Sequence, residues 1–308
     1  MACAVATLLW WLPQGAFSWD YLYGWLACAL TTLVLAGLVV VNTLLRVRSQ
    51  MTSVVFVLTM GVCGFLHPIG VGQILTFFLA LAFYALFRSY EKREAPIDSF
   101  QAALCISLGS LAWAPFLWLA PVLLVGQGIF MRGLSQRVLG AWLMGVVLPY
   151  WFWGAVALFL GDTTVLGAHL AAVISSFQEP FYWPPSIEGI RAHMEAHRAE
   201  AAASAFVALT GTTGFIHYYR NNYDDKIGVR MCYYCLMLTQ VVLLLWLLCQ
   251  PTAFYQLFPL LILSTAPTAA HFFALAHTWL TNAWFVICSL ALVGVGVCCL
   301  APASWLPF

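Results

Sequence analysis

Charge is what this sequence most lacks. Asp, Glu, Lys and Arg make up 7% of its 308 residues, where a soluble domain carries about 25%. So few charges cannot cover a water-facing surface that must also hide 14 Trp and 22 Phe, so the solvent for most of the chain is lipid. A net charge of +1 sets up no field that would gather nucleic acid or an acidic substrate. A basic arm, a ribonucleoprotein motif and a nucleotide-binding glycine loop are all missing, which excludes nucleic acid as a partner. There is also no internal repeat, no low-complexity tract and no stretch that reads as a soluble domain. Cysteine is not scarce, but the 10 cysteines sit almost wholly inside apolar runs. They read as small buried hydrophobes and not as a disulfide framework.

Lipid offers no hydrogen bonds, so a spanning segment must be a helix, and apolar runs bounded by charge, Pro or Gly mark where spans begin and end. Eleven such runs follow one another: 1–12, 24–45, 52–66, 69–87, 100–114, 116–131, 138–160, 201–217, 231–249, 254–273 and 278–300. The first lacks a basic flank, and no small-x-small cleavage site follows before Trp19, so it reads as a short or truncated first span. Several runs fall short of the roughly 20 residues a perpendicular span needs. Those joined at His67-Pro68 and Ala114-Pro115 read as short helical hairpins. The expectation is an all-α, polytopic transmembrane bundle forming one integral membrane domain over residues 1–308.

The few charges then test the count. With a cytoplasmic N-terminus and a reversal at every run, Arg46, Arg48, Arg88, Lys92, Arg93, Arg132, Arg137, Arg220, Lys226 and Arg230 share the cytoplasmic side. Only Arg191 and Arg198 fall outside. Such an asymmetry is what the positive-inside rule requires. Merging 100–131 into one helix would reverse the parity, and Pro115 and Pro121 argue against it independently. The one sizeable extramembrane piece is the extracytoplasmic interval 161–200. Prolines 180, 184 and 185 break it around Phe181-Tyr182-Trp183, and 187–200 can form an amphipathic helix behind Ser186.

Few polar groups remain to carry chemistry. Asp20 stands between aromatics in Ser18-Trp19-Asp20-Tyr21, in a short outer loop, where a lone carboxylate can serve as a general base or simply cap the next helix. His193 and His197 share a helical face at i, i+4, a metal-ligand spacing that His67 and His169 on the same side would complete. The order lacks the His-Glu-x-x-His arrangement, and a solvated amphipathic helix is the plainer reading. A single Cys232-x-x-Cys235 is half a metal site, and no metal or cofactor is expected. The mixed-sign runs at Arg88–Glu94 and Arg220–Lys226 read as solvated topology anchors that can also dock a cytoplasmic partner or anionic head groups. No run carries an acid or base at its centre, which counts against an ion-driven transporter. His271, His277 and Ser264-Thr265-Ala266-Pro267 are the transporter-like features.

The order of segments resembles the membrane core of the C-type, multi-spanning glycosyltransferases. The resemblance lies in the acid of the first outer loop (Asp20) and in the hairpin broken at His67-Pro68 and ending Phe83-Tyr84-Ala85-Leu86-Phe87-Arg88. It lies also in the short pair turning at Leu108-Gly109-Ser110-Leu111-Ala112-Trp113-Ala114-Pro115, and in the run Tyr255-Gln256-Leu257-Phe258-Pro259-Leu260-Leu261. The chain is similar, too, to an uncharacterised family of bacterial inner-membrane proteins of this length. The glycosyltransferase resemblance implies a polyprenyl-linked substrate handled at the outer leaflet during envelope assembly, with Asp20 as catalytic base. Paired acids in that loop and a large soluble C-terminal domain are absent. The rival expectation is a non-catalytic subunit that scaffolds a membrane complex. Membrane lipids are partners on either reading.

Overall fold

The computed structural model describes residues 2–11, 18–47, 49–90, 92, 94–161, 163–176, 188, 191, 196–275 and 278–300. These form twelve α-helices, and no strand occurs among the described residues. They are α1 (Ala2–Trp11), α2 (Trp19–Val41), α3 (Met51–Val62), α4 (Val71–Phe87), α5 (Pro96–Ala112), α6 (Leu119–Gly126), α7 (Gln136–Leu160), α8 (Thr164–Ser175), α9 (Arg198–Asn221), α10 (Ile227–Cys249), α11 (Phe254–Leu275) and α12 (Trp279–Leu300). Seven helical stretches are long and apolar enough to cross a membrane, the protein being multi-pass: Trp19–Val41, Ala114–Met131, Gln136–Leu160, Arg198–Asp224, Ile227–Cys249, Pro251–Leu275 and Thr281–Cys299. Ala2–Trp11, Met51–Val62, Val71–Phe87 and Thr164–Ser175 are apolar but shorter.

Local signals set the helix ends. Pro96 opens α5, where a missing N–H costs nothing. Ser135 caps α7 by accepting from the Val138 amide at 3.3 Å. Gly161, at φ 72°, closes the same helix in the left-handed conformation that glycine adopts freely. Trp113 is extended and ends α5, a 3-10 turn (Ala114–Trp118) follows, and α6 runs back. The return is fixed because the Gln127 amide donates to Ser99 Oγ across the hairpin. The break at Pro115 is therefore real, and 100–131 is not one helix.

Contacts between the turns sort into two ends. At one, the Ile69 amide donates to the Asp20 carbonyl at 2.9 Å, Trp10 Nε1 to the Tyr21 carbonyl at 3.1 Å, and Gln250 to the Ser176 carbonyl at 2.6 Å. At the other, Lys92 pairs with Asp98 at 2.7 Å and Arg137 with Glu94 at 2.8 Å. We call these the Asp20 end and the Asp225 end.

The axis of the bundle is α11. Every residue over 257–272 is buried, against α3, α4, α9 and α10. Small residues let its neighbours approach, as in other membrane bundles. A Cβ on Gly214 of α9 would stand 2.7 Å from the Thr268 backbone. One on Gly72 of α4 would stand 2.1 Å from the Tyr255 carbonyl, whose helical partner is missing because Pro259 has no N–H.

Two expectations change, and a third falls mostly on residues that are not described. The interval after α7 is not polar from its start, since 164–175 is the apolar helix α8. Most of 187–197 lies outside the described residues, and α9 is continuous from Arg198. The mixed-sign runs are not wholly solvated: Asp225 of the second is 5% exposed, and Arg88 and Lys92 of the first reach Asp98, itself 5% exposed, just beyond it.

Candidate functional site

Four segments meet at the Asp225 end. The first is the turn after α2. There the Leu44 amide donates to the Val39 carbonyl and the Thr43 amide to the Val40 carbonyl, the paired bonds that usually end on a left-handed glycine. Here Thr43 takes that position at φ 47°, a strained choice for a β-branched residue. The turn buries Leu44 and sends Arg46 across to the α9–α10 connection.

Arg46 reaches both acids of that connection. Its Nε lies 2.5 Å from Asp225 Oδ1 and its Nη1 3.3 Å from Asp224 Oδ2. The other Asp225 oxygen, Oδ2, lies 3.3 Å from Nε2 of His271 on α11, and both side chains are 1% exposed. Burial alone would raise the Asp225 carboxyl, but His271 and Arg46 outweigh it and hold the group below the usual carboxylate range. Burial would likewise lower Arg46, and Asp225 and then Asp224 more than reverse that.

Aromatic rings wall the pair. Tyr218 of α9 and Tyr233 of α10 stack at 4.2 Å, and both set their rings nearly perpendicular to His271, at 4.7 and 5.4 Å. His217 stands 5.8 Å from His271. Tyr233 Oη donates to the Leu44 carbonyl at 3.3 Å and, more weakly, to that of Pro267 at 3.5 Å, tying α10 to the strained turn and to α11. Asn222 donates to Tyr234 Oη at 2.7 Å.

Several atoms in this enclosure lack an aligned hydrogen bond among the described residues: Asp225 Oδ2, both ring nitrogens of His271, His217 Nδ1 and Tyr218 Oη. Buried polar atoms are usually satisfied, so a cluster of unsatisfied ones calls for an explanation. The chemistry follows from who can donate. A carboxylate below its usual pKa range only accepts, so Nε2, which faces it, carries the His271 proton. In the neutral imidazole Nδ1 is then the acceptor, while the Tyr218 hydroxyl interacts with Asp225. An imidazole oriented by a buried carboxylate is an arrangement for general acid–base chemistry.

The expected residues sit elsewhere. Asp20 lies in the first turn of α2 and not in a loop, where a carboxylate suits the positive helix end. It is exposed, and its carbonyl bond to Ile69 fixes its backbone. His67 is buried, stacked on Trp10 at 4.3 Å, with Nε2 3.0 Å from the Gly61 carbonyl. His169 packs edge-on to Trp153 at 4.9 Å, on α8. His197 Nδ1 is 3.5 Å from Glu200, while His193 and His277 lie outside the described residues. Cys232 and Cys235 are buried in α10, and no group of three or more His, Cys, Asp or Glu converges to hold a metal among the described residues. Of the acid, histidines and cysteines singled out individually, only His271 belongs to the cluster, which also takes in Asp224 and Asp225 of the run Arg220–Lys226. Its signal was the stripe Ser264, Thr265, Thr268 and His271, four polar residues at helical spacing on an otherwise apolar, proline-bearing helix.

Fold and composition define the class, a multi-pass helical membrane protein. No protein-family model, curated protein or solved structure matches the chain.

Proposed function

We propose that the protein is an acid–base enzyme of the bacterial inner membrane that works on a lipid-borne substrate in envelope assembly. In this reading His271 Nδ1 accepts the proton, Asp225 orients the ring and stabilises the imidazolium, and Arg46 keeps Asp225 ionised. The observation that carries it is the Asp225–His271 pair, 3.3 Å apart with both side chains 1% exposed, beside unsatisfied polar atoms. Its looseness suits a resting site, because catalytic hydrogen bonds often tighten only when substrate is bound. The lipid-borne substrate, the envelope setting and the inner membrane rest on the segment layout and the ten-to-two split of basic residues.

A second reading, a transferase that uses Asp20 at the outer leaflet, is favoured by one observation. That carboxylate is exposed, on a backbone pinned to the hairpin turn at Ile69. An apolar groove of about 530 Å³ between α5 and α7, lined by Leu108, Pro149 and Phe152 among others, opens in the half of the bundle towards the same end.

Complementation of a deletion strain's envelope phenotype separates the readings, with protein level and melting temperature measured in parallel. His271→Gln keeps size and polarity but removes the base, and losing a general base slows a reaction by roughly 10²–10⁴-fold. We expect His271→Gln to fail at normal abundance and Asp20→Asn to rescue. The reverse pattern supports the Asp20 transferase. Rescue by both overturns either enzyme reading and leaves a scaffold, whose sensitive positions would lie on a surface that holds a partner protein.

A further inference from the structure

Two cysteines remain to be explained at the Asp20 end. Cys63 follows the last residue of α3 and is 1% exposed. Cys299 lies in the last turn of α12 and is half-buried. The two thiols stand near enough to interact, and Cys299 Sγ is 3.8 Å from the Ala199 carbonyl. The helices are close where these cysteines leave them. A Cβ on Gly296, one turn before Cys299, would stand 3.5 Å from the side chain of Val62, the neighbour of Cys63.

We propose that Cys63 and Cys299 form a disulfide that staples α12 to α3. Exposure sets the order of events. The Cys299 thiolate, the reachable one, attacks a sulfur of a disulfide oxidant, such as an oxidised thiol–disulfide oxidoreductase, and forms a mixed disulfide while one thiolate leaves. The Cys63 thiolate then attacks the Cys299 sulfur and expels the second thiolate. Two thiols lose two protons and two electrons, and the oxidant's disulfide becomes a dithiol. Cys63 is too buried to react first. Cys298 is exposed but is not the residue in contact with Cys63. The staple has a structural use, because among the described side chains of α12 only Cys288, Val295 and Gly296 are buried. In the cell the bond needs the Asp20 end in an oxidising compartment, the side that basic-residue counting assigns outside; to that extent it rests on the proposed orientation.

The full-length protein, purified in detergent, is treated with oxidised glutathione. Its remaining thiols are blocked with a maleimide, and it is digested for mass spectrometry without reduction. A peptide pair joined at 63 and 299 is expected, kept in Cys298→Ser and lost in Cys299→Ser. Oxidised wild type should melt above its reduced form. Cys63 still blocked by maleimide after unfolding, with Cys299 carrying only glutathione, would overturn the proposal, as would a bond to Cys298 instead. This arm is independent of orientation. Cells quenched in acid before thiol blocking supply the second arm, in which the bond is expected in native membranes. A bond formed in detergent but reduced in cells would overturn it as a feature of the native protein and reverse the orientation.

Discussion

Asp20 and Asp225 stand at opposite ends of one bundle and have little in common beyond their side chain. Asp20 lies in the first turn of α2, exposed, with only its backbone tied down. Asp225 is buried, with Arg46 on one oxygen and His271 near the other. The first carboxylate is left exposed. For the second the fold has replaced water with two cationic or protonatable partners and two stacked tyrosines, so its charge and orientation are set before any substrate arrives. Such fixed surroundings are what allow an enzyme's polar groups to act without reorganising.

If that contrast holds, substitutions at the two ends should cost very different amounts. Asp225→Ala removes one member of a buried ionic group and leaves Arg46 and His271 uncompensated. Losses of 3–5 kcal/mol are usual for such a break, and because Arg46 is partly exposed we expect about 3 kcal/mol in denaturant unfolding. The sign with pH follows from the lowered Asp225 value. The contribution is complete above the unfolded carboxylate value of about 4 and is lost as pH falls through the folded one. The gap between wild type and Asp225→Asn should therefore narrow only in acid. A gap unchanged from pH 7 to pH 3 would break the comparison.

At the Asp20 end the larger effect should come from packing. Gly24→Ala would place a methyl 2.1 Å from the His67 carbonyl, which cannot yield without moving the hairpin. Overpacking of this kind costs about 1–3 kcal/mol, readable as a lower melting temperature. Back at the Asp225 end, but on its surface, Arg137→Ala breaks a pair whose side chains are 77% and 47% exposed, and it should cost less than about 1 kcal/mol and vanish in high salt. Asp20→Asn should be the mildest, within about 0.5 kcal/mol. A larger loss at Asp20 than at Asp225 would invert the account.

The all-helical, multi-pass character and the turns were legible because lipid imposes a simple rule, apolar helix until charge or proline. The break at Trp113-Ala114-Pro115 could be read from proline alone, and Ser99 with Gln127 bears it out. The helix α8 was missed because Asp162 and three later prolines made the whole interval look polar, although Thr164–Ser175 is apolar apart from His169 and hydroxyls. The cluster was hidden for a different reason. Arg46 precedes Asp225 by 179 residues, and Asp225 sits in a mixed-sign run that in most proteins would be solvated. Only the packing of the α2–α3 turn against α9, α10 and α11 joins them. The polar stripe ending at His271 was readable, but its partner was not.

The central claim is that Asp225 holds the His271 proton on Nε2 and leaves Nδ1 basic, and side-chain nitrogen NMR tests it most directly. In ¹⁵N-histidine-labelled protein near neutral pH, the signals lost in His271→Gln identify the residue. The account predicts that they report an Nε2–H tautomer with an unprotonated Nδ1, and that Asp225→Asn weakens this preference. A proton found on Nδ1, with Nε2 bare against the carboxylate and no response to Asp225→Asn, would contradict it.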